Sequence, residues 1–117
     1  MANISIVITV KNEEKNLAHL FAGLERQSKL PDEIVVVDGG STDHTYHLLI
    51  QWKPPFRKVI IRKLGNRSVG RNAGILAAKN SIIALTDAGC VPARDWVKNI
   101  TAPLISKKTD VVAGYYE

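Results

Sequence analysis

Short apolar segments rich in β-branched residues alternate along this chain with segments of helical periodicity, and this alternation constrains the fold most. The apolar segments predict five strands, at 4–10, 33–38, 58–63, 82–87 and 110–116. The segments between them predict four helices, which begin near Asn12, His44, Ser68 and Pro92. Short strand–helix–strand connections favour right-handed crossovers and parallel pairing. The sequence therefore predicts an α/β fold with three layers, α/β/α, around a mostly parallel sheet.

Capping residues and prolines predict where the helices begin and end. Asn12 is expected to cap the first helix, which should end near Ser28, and Ser68 is expected to cap the third. Pro103 is expected to kink or end the fourth. These boundaries leave no linker between elements, so the 117 residues predict one domain.

Composition excludes several classes of protein. The formal charge of +5 favours anionic ligands, but the basic residues are scattered and no basic run with interleaved aromatics indicates nucleic-acid binding. One cysteine excludes an intrachain disulfide and a multi-cysteine zinc site. No signal peptide is recognised, and every apolar run is far shorter than the roughly 20 residues that span a bilayer. A cytoplasmic protein without a transmembrane segment is expected.

Polar residues follow three of the predicted strands where they end. They occupy 9–13, 38–43 and Asp87, with Arg71 and Asn72 on the third helix within reach. Open α/β sheets bind ligands at the carboxyl ends of their strands. The sequence has no Gly-x-Gly-x-x-Gly after the first strand and no phosphate-binding P-loop. Carboxylates beside an arginine would instead suit a diphosphate with a divalent metal.

Most of these residues also have an ordinary structural explanation. Asp43 is best explained as a helix cap, and Asp38 as either a turn residue or a ligand-binding residue. Glu13 could complement a helix dipole, and Arg71 could be a solvated helix residue. Asp87 has no helix to cap, so a functional role is favoured there.

Four motifs resemble those of glycosyltransferase family 2. They lie at 6–14 (IVITVKNEE), 34–43 (IVVVDGGSTD), 70–74 (GRNAG) and 84–90 (ALTDAGC), in the family's order. The resemblance implies the Rossmann-like GT-A fold. It also implies transfer of a sugar, with inversion, from a nucleotide-diphosphate sugar to an acceptor hydroxyl, with a UDP-sugar as the favoured donor. It also implies Mn²⁺ or Mg²⁺ and a carbohydrate or lipid-linked acceptor, as in the synthesis of cell-envelope polysaccharide at the cytoplasmic face of a membrane.

The resemblance assigns nucleotide-sugar contacts to six residues: Thr9, Val10, Glu13, Asp38, Arg71 and Asp87. It implies that Asp38 lies near the base and ribose, Arg71 near the base and phosphates, and Asp87 at the metal–diphosphate. Two glycines depart from the family's pattern. Gly39 replaces an aspartate that recognises uracil, and Gly89 replaces the second carboxylate of Asp-x-Asp. Uridine specificity and metal dependence therefore stay open, although Mg²⁺ commonly uses only one or two carboxylates.

The extent of the chain is the last expectation. Residues 1–117 are expected to form the donor-binding domain, truncated before an acceptor-binding half that holds the general base, although a natural short form is an alternative. A non-catalytic nucleotide-binding or interaction module of the same fold is a second possibility. A flavodoxin-like receiver is disfavoured, because 10–12 lacks the acidic pair that receivers carry after their first strand.

Overall fold

A computed structural model describes residues 3–89, 92–107 and 111–113 of the chain. In chain order the elements are β1 (Ile4–Val10), α1 (Leu17–Glu25), β2 (Glu33–Asp38), α2 (Thr45–Gln51), β3 (Arg57–Arg62), α3 (Arg67–Ala77), β4 (Ile82–Asp87), α4 (Trp96–Lys107) and β5 (Val111–Ala113). The order of strands and helices predicted from the sequence is confirmed. Within these ranges, no helix combines the length and the apolar character needed to cross a bilayer.

The five strands form one parallel sheet in the order β3-β2-β1-β4-β5. β1 lies at the centre and pairs with β2 on one side and β4 on the other. The chain reverses its direction of winding at β1, which makes the carboxyl end of this strand the point where a ligand crevice opens. Register places Val10 beside Asp38 and Thr9 beside Asp87 at that end.

Helices cover both faces of the sheet, as predicted. One face of β1 presents Ile4, Ile6 and Ile8 to a core that includes buried residues of α1, α2 and α4. The opposite face presents Val7 to a smaller core, where Ile75 of α3 packs. Because side chains alternate along a strand, a nearly continuous apolar run supplies both cores.

Two predicted helix caps are wrong, and of the kink or end expected at Pro103 the end is excluded. Asn12 does not cap α1, which begins five residues later, because its side chain is used in a contact between loops described below. Asn66 rather than Ser68 caps α3, and its Oδ1 accepts a hydrogen bond from Val69 N–H at 3.0 Å. α4 does not end at Pro103 but continues to Lys107. Of the predicted last strand, 110 and 114–116 lie outside the described residues.

Glycines let α3 approach the sheet closely. A Cβ atom added at Gly74 would collide with Cγ1 of Val7 and would lie 3.3 Å from Cγ2 of Val37. Val7 and Val37 are each 1% exposed, and β-branched side chains have few alternative rotamers. The valines therefore cannot move aside, and the distance from α3 to β1 depends on glycine at this position.

Gly74→Ala is expected to destabilise the fold by roughly 1–3 kcal/mol, because it overpacks a tight helix–sheet contact. Chemical denaturation followed by tryptophan fluorescence measures the change. Val7→Ala supplies the control, since removing the two methyl groups of Val7 makes room for the new one. The double variant should be more stable than the sum of the two single effects. Strict additivity would show that Val7 does not limit the approach of α3.

A buried carboxylate fastens the amino-terminal edge of the sheet. Glu33, the first residue of β2, is 1% exposed. Its Oε1 accepts hydrogen bonds from the Ser5 hydroxyl at 2.7 Å and the Lys79 N–H at 2.8 Å. Its Oε2 accepts one from Arg57 Nε at 3.0 Å. Burial alone would raise the pKa of Glu33, but these hydrogen bonds and the charge of Arg57 outweigh it and lower the pKa below the ordinary value of 4.5.

Glu33→Gln is expected to lower the free energy of unfolding at neutral pH by about 1.5–3 kcal/mol, since it removes a charged hydrogen-bond acceptor. A lowered folded-state pKa stabilises the protein above the unfolded-state pKa and ceases to do so as the pH falls through the folded value. The gap between wild type and variant should therefore close below pH 4.5. Urea denaturation at several pH values tests this, with Glu14→Gln as a partly exposed control. A gap independent of pH would contradict it.

Candidate functional site

The loop after β1 is fastened to the loop after β2 through Asn12. Its backbone N–H donates to Ser41 Oγ at 2.9 Å, and its Oδ1 accepts from Thr42 N–H at 2.8 Å. Asn12 has a φ of 52°, in the left-handed region that asparagine tolerates better than most residues. Next to it, Glu13 N–H donates to Thr45 Oγ1 at 2.8 Å. These bonds fix the directions in which Lys11 and Glu13 leave the backbone.

Asp38 supports the second of these loops from below. The residue is fully buried, and its Oδ1 accepts hydrogen bonds from Gly40 N–H at 3.0 Å and from both N–H and Oγ of Ser41 at 2.8 Å. Its Oδ2 is also buried and has no hydrogen-bond partner in the described part of the chain. Asp38 therefore shapes the turn that follows β2.

Asp43 supports the start of α2 from the position before the N-cap residue, His44, which agrees with a structural role for this residue. Its Oδ1 accepts a hydrogen bond from Thr45 N–H, the first residue of the helix, at 2.9 Å. The side chain and the backbone N–H of Thr45 lower the pKa of Asp43 below its usual value.

A cleft of about 380 Å³ opens at the carboxyl end of the sheet. It is lined by Thr9, Val10, Lys11, Glu13, Val37, Gly39, Gly65, Asn66, Arg67, Gly70, Ala88 and Gly89. These residues come from the ends of β1 and β2, the loop from β3 into α3 and the turn after β4. The cleft therefore lies where the topology predicts a ligand site.

The cleft contains charged side chains of both signs, two cations and one carboxylate. Lys11 and Arg67 are exposed cations on its rim. Glu13 is half-buried, and its Oε2 is buried without a hydrogen-bond partner among the described residues. A buried carboxylate oxygen without a donor is costly. A ligand that fits this cleft would bring negative charge to the cations and a hydroxyl or N–H to Glu13.

The first turn of α3 forms one wall of the cleft. A Cβ atom at Gly70 would lie 3.0 Å from Cγ2 of Thr9, so the helix backbone rests against the end of β1. Arg71 follows Gly70 but is not among the lining residues; it is half-buried, and its Nε has no hydrogen-bond partner in the described chain.

The six residues predicted to contact the nucleotide sugar are distributed unequally around the cleft. Thr9, Val10 and Glu13 line it. Asp38, which is fully buried, and Arg71 are not among the lining residues, and their predicted contacts with the nucleotide stay predictions. The backbone of Asp87 pairs with Thr9 at the end of β4, but its side chain lies outside the described part of the structure. Its predicted metal contact stays a prediction.

The sequence interpretation missed the contribution of the loop after β3. Asn66 and Arg67 line the cleft beside Lys11, which belongs to the predicted polar cluster 9–13. The rule that selected the ends of three strands applies equally to the end of the third strand in sequence. Applied there, it would have identified both residues.

A preformed metal centre is not found in the described residues. No three side chains of His, Cys, Asp or Glu converge there in a way that could hold a metal ion.

Comparison with known proteins assigns the chain to a family. The family model described as glycosyl transferase family 2 matches residues 5–116. The chain belongs to glycosyl transferase family 2. Among relatives of this family, it is 28% identical to the glycosyltransferase AglE of Haloferax volcanii over 97% of its own length and 39% of that relative.

Solved structures show the fold of the family 2 chain. TarS of S. aureus in complex with UDP-GlcNAc superposes with a TM-score of 0.79 at 22% identity, over 92% of this chain and 32% of TarS. Glucosyl-3-phosphoglycerate synthase from Mycobacterium tuberculosis, solved with Mn²⁺, UDP and glucosyl-3-phosphoglycerate, gives a TM-score of 0.72 at 23% identity, over 90% of this chain and 40% of that one. The predicted fold and family are thus confirmed, and the chain spans about a third to two fifths of these proteins.

Asn12→Gly and Asn12→Ala are expected to separate the two contributions of Asn12. The glycine variant keeps the left-handed backbone but loses the side-chain hydrogen bond, which costs about 1 kcal/mol. The alanine variant loses the bond and also strains the backbone, which costs roughly 1–2 kcal/mol more. Urea denaturation measures both. Asn16→Ala is the matched control, because the side chain of Asn16 makes no capping bond and its loss should change little. Equal stability of the two Asn12 variants would contradict the strain.

Proposed function

We propose that this chain is the donor-binding domain of an inverting glycosyltransferase and that its cleft binds a nucleotide-diphosphate sugar. The intact enzyme would transfer the sugar to a hydroxyl of a carbohydrate or lipid-linked acceptor. We place this activity in the cytoplasm, at the membrane face where the acceptor is a lipid. Membership of family 2 and the UDP-GlcNAc present in the TarS complex support this proposal.

The observation that carries the proposal is the pairing of two cations with an unsatisfied acceptor in one cleft. Lys11 and Arg67 can neutralise the charge of a diphosphate, and guanidinium groups bind phosphate oxygens in pairs. The partnerless Oε2 of Glu13 can accept a hydrogen bond from a ribose hydroxyl or a base N–H. A nucleoside diphosphate carries both kinds of group.

The remaining predicted residues take positioning or metal roles in this proposal. Thr9 and Val10 form the floor on which the nucleoside rests. Asp38 holds the turn beside the cleft through its hydrogen bonds to Gly40 and Ser41, so it acts on the ligand indirectly. Arg71 follows Gly70 on α3 but does not line the cleft, so it would contact the phosphates only after its side chain turns towards them.

Asp87 is the residue that would hold a divalent metal, Mn²⁺ or Mg²⁺. One carboxylate can suffice for Mg²⁺, which commonly uses only one or two protein carboxylates together with diphosphate oxygens and water. Such an ion would stabilise the charge that develops on the leaving diphosphate. Mn²⁺ in the structure of glucosyl-3-phosphoglycerate synthase supports this choice of metal.

In the transfer step, the acceptor oxygen bonds to the anomeric carbon as the bond from that carbon to the diphosphate breaks. Attack from the opposite side inverts the configuration, and the hydroxyl proton passes to a general base. Lys11 and Arg67 are placed to stabilise the departing diphosphate, since fixed cations near developing negative charge lower the barrier.

Calorimetric titration of the chain with UDP, GDP and TDP, with and without Mn²⁺, tests the proposal. One nucleotide should bind saturably, and Mn²⁺ should strengthen the binding. Arg67→Gln should weaken binding about tenfold in either condition, because it removes a charge-assisted hydrogen bond. Asp87→Asn should abolish only the strengthening by Mn²⁺. Lys53→Gln, which removes an exposed charge far along the chain from the cleft residues, should change neither.

Failure of every nucleotide to bind would contradict the donor-binding role. Binding without any effect of Mn²⁺ or of Asp87→Asn would retain the cleft but reject the metal site. The non-catalytic alternative also predicts binding, so it needs a separate measurement. Release of UDP from UDP-GlcNAc by the longer protein in the presence of acceptor supports the transferase, and its absence with every donor supports the binding module.

A further inference from the structure

A second concavity, of about 510 Å³, lies between α1 and the segment that leads into α4. We call it the arginine groove; it is lined by His19, Ala22, Gly23, Arg26, Pro92 and Arg94. It shares no lining residue with the cleft. Ala22 and Gly23 have almost no side chain, which leaves the floor of the groove open.

The charged residues that line the groove are both arginines. None of its lining residues is acidic, and neither Arg26 nor Arg94 forms an ion pair within the described part of the chain. Glu25 and Asp95, the acidic neighbours of these arginines in sequence, each accept a hydrogen bond from a neutral group. Glu25 Oε1 accepts a hydrogen bond from Trp52 Nε1 at 2.6 Å, and Asp95 Oδ1 accepts one from Ser28 Oγ.

A buried glutamine holds the two sides of the groove together. Gln27 is 5% exposed, and its Nε2 donates to the carbonyl oxygens of Gly23 at 3.0 Å and Ala93 at 2.6 Å. Its Oε1 accepts from Val97 N–H at 2.9 Å, in the first turn of α4. The segment before α4 is thereby fixed to the end of α1.

A backbone bond completes this connection at the arginines themselves. Ser28 lies two residues after Arg26, and its backbone N–H donates to the carbonyl oxygen of Arg94 at 2.8 Å. The backbones of both arginines are therefore held in place while their side chains remain exposed. The start of α4 lies beside Arg94 and the end of α1 lies at Arg26, so the two helix dipoles act in opposite senses at the groove.

A single exposed arginine is usually only solvated, and Arg26 at the C-cap of α1 would complement the helix dipole by itself. Two arginines on one groove, with fixed backbones and no acid among the lining residues, are better explained by an anionic ligand. One guanidinium group can donate two parallel hydrogen bonds to two oxygens of a phosphate, a geometry that the ammonium group of lysine cannot reproduce. We propose that the arginine groove binds a phosphate group between Arg26 and Arg94, at a site separate from the donor cleft.

The test is a titration of the ¹⁵N-labelled chain with inorganic phosphate, with sodium chloride at equal ionic strength as the reference. NMR signals of the arginine Nε–H groups and of the amides at 26–28 and 93–94 should shift and saturate. Arg26→Gln and Arg94→Gln should each weaken phosphate binding at least about fivefold. Lys98→Gln, which removes one exposed charge from α4 outside the groove, should change the affinity less than about twofold.

Shifts that stay linear with phosphate, or equal losses in all three variants, would overturn the proposal by showing general charge screening. Unchanged affinity in both arginine variants would overturn it as well. Co-sedimentation with phosphatidylcholine vesicles, with and without phosphatidic acid, identifies the source of the phosphate. Retention that requires phosphatidic acid and both arginines supports a lipid headgroup, whereas phosphate binding without retention supports a free phosphate compound.

This inference is independent of the donor cleft. The arginine variants should leave the affinity for UDP unchanged, and Arg67→Gln should leave phosphate binding in the groove unchanged. Failure of either site would therefore leave the other standing.

Discussion

The pairing of β1 with a parallel strand on each side is the constraint on which the rest of the structure depends. It satisfies the backbone hydrogen bonds of the central strand away from water, which a buried chain requires. It also sets the register of the site, since Thr9 and Val10 end level with Asp87 and Asp38. A shift of one residue would turn every side chain of β1 to the other face and exchange the two cores. The two cores and the cleft are therefore determined by the same pairing.

Buried carboxylates at the two ends of β2 complete this arrangement. Glu33 binds groups from three other segments at the amino-terminal edge, and Asp38 holds the turn at the carboxyl edge. Buried acids are tolerated when hydrogen bonds satisfy them, and such bonds specify one geometry. Glu33 is saturated by Ser5, Lys79 and Arg57, whereas one oxygen of Asp38 has no partner in the described chain. The two edges of the sheet therefore differ in how completely their buried carboxylate is hydrogen-bonded: fully at the amino-terminal edge, and only in part at the carboxyl edge where the proposed ligand binds.

The sequence predicted the fold well because strands and their order depend on local patterns. Strands 4–10 and 33–38 were placed to the residue, since uninterrupted β-branched runs have few alternatives. Predictions that depended on contacts distant in sequence failed. By its local sequence Asn12 is a good helix cap, but its side chain accepts a hydrogen bond from Thr42 N–H, thirty residues later. Arg67 reaches the cleft through its place after β3, which the strand-end rule would have indicated had it been applied to this strand as well.

The glycines of α3 have a consequence for the direction of Arg67. Positions 67, 70 and 74 are spaced by three and four residues, so they form one stripe along the helix. Gly70 and Gly74 turn that stripe towards β1, since their backbones lie directly against Thr9 and Val7. The rotation of α3 about its own axis is thereby fixed, and Arg67 points to the end of the sheet. Arg71 lies about one residue step, or 100°, round the helix from Gly70 and is carried to the flank. In this way the absence of two side chains in the core selects which of two arginines can meet a ligand.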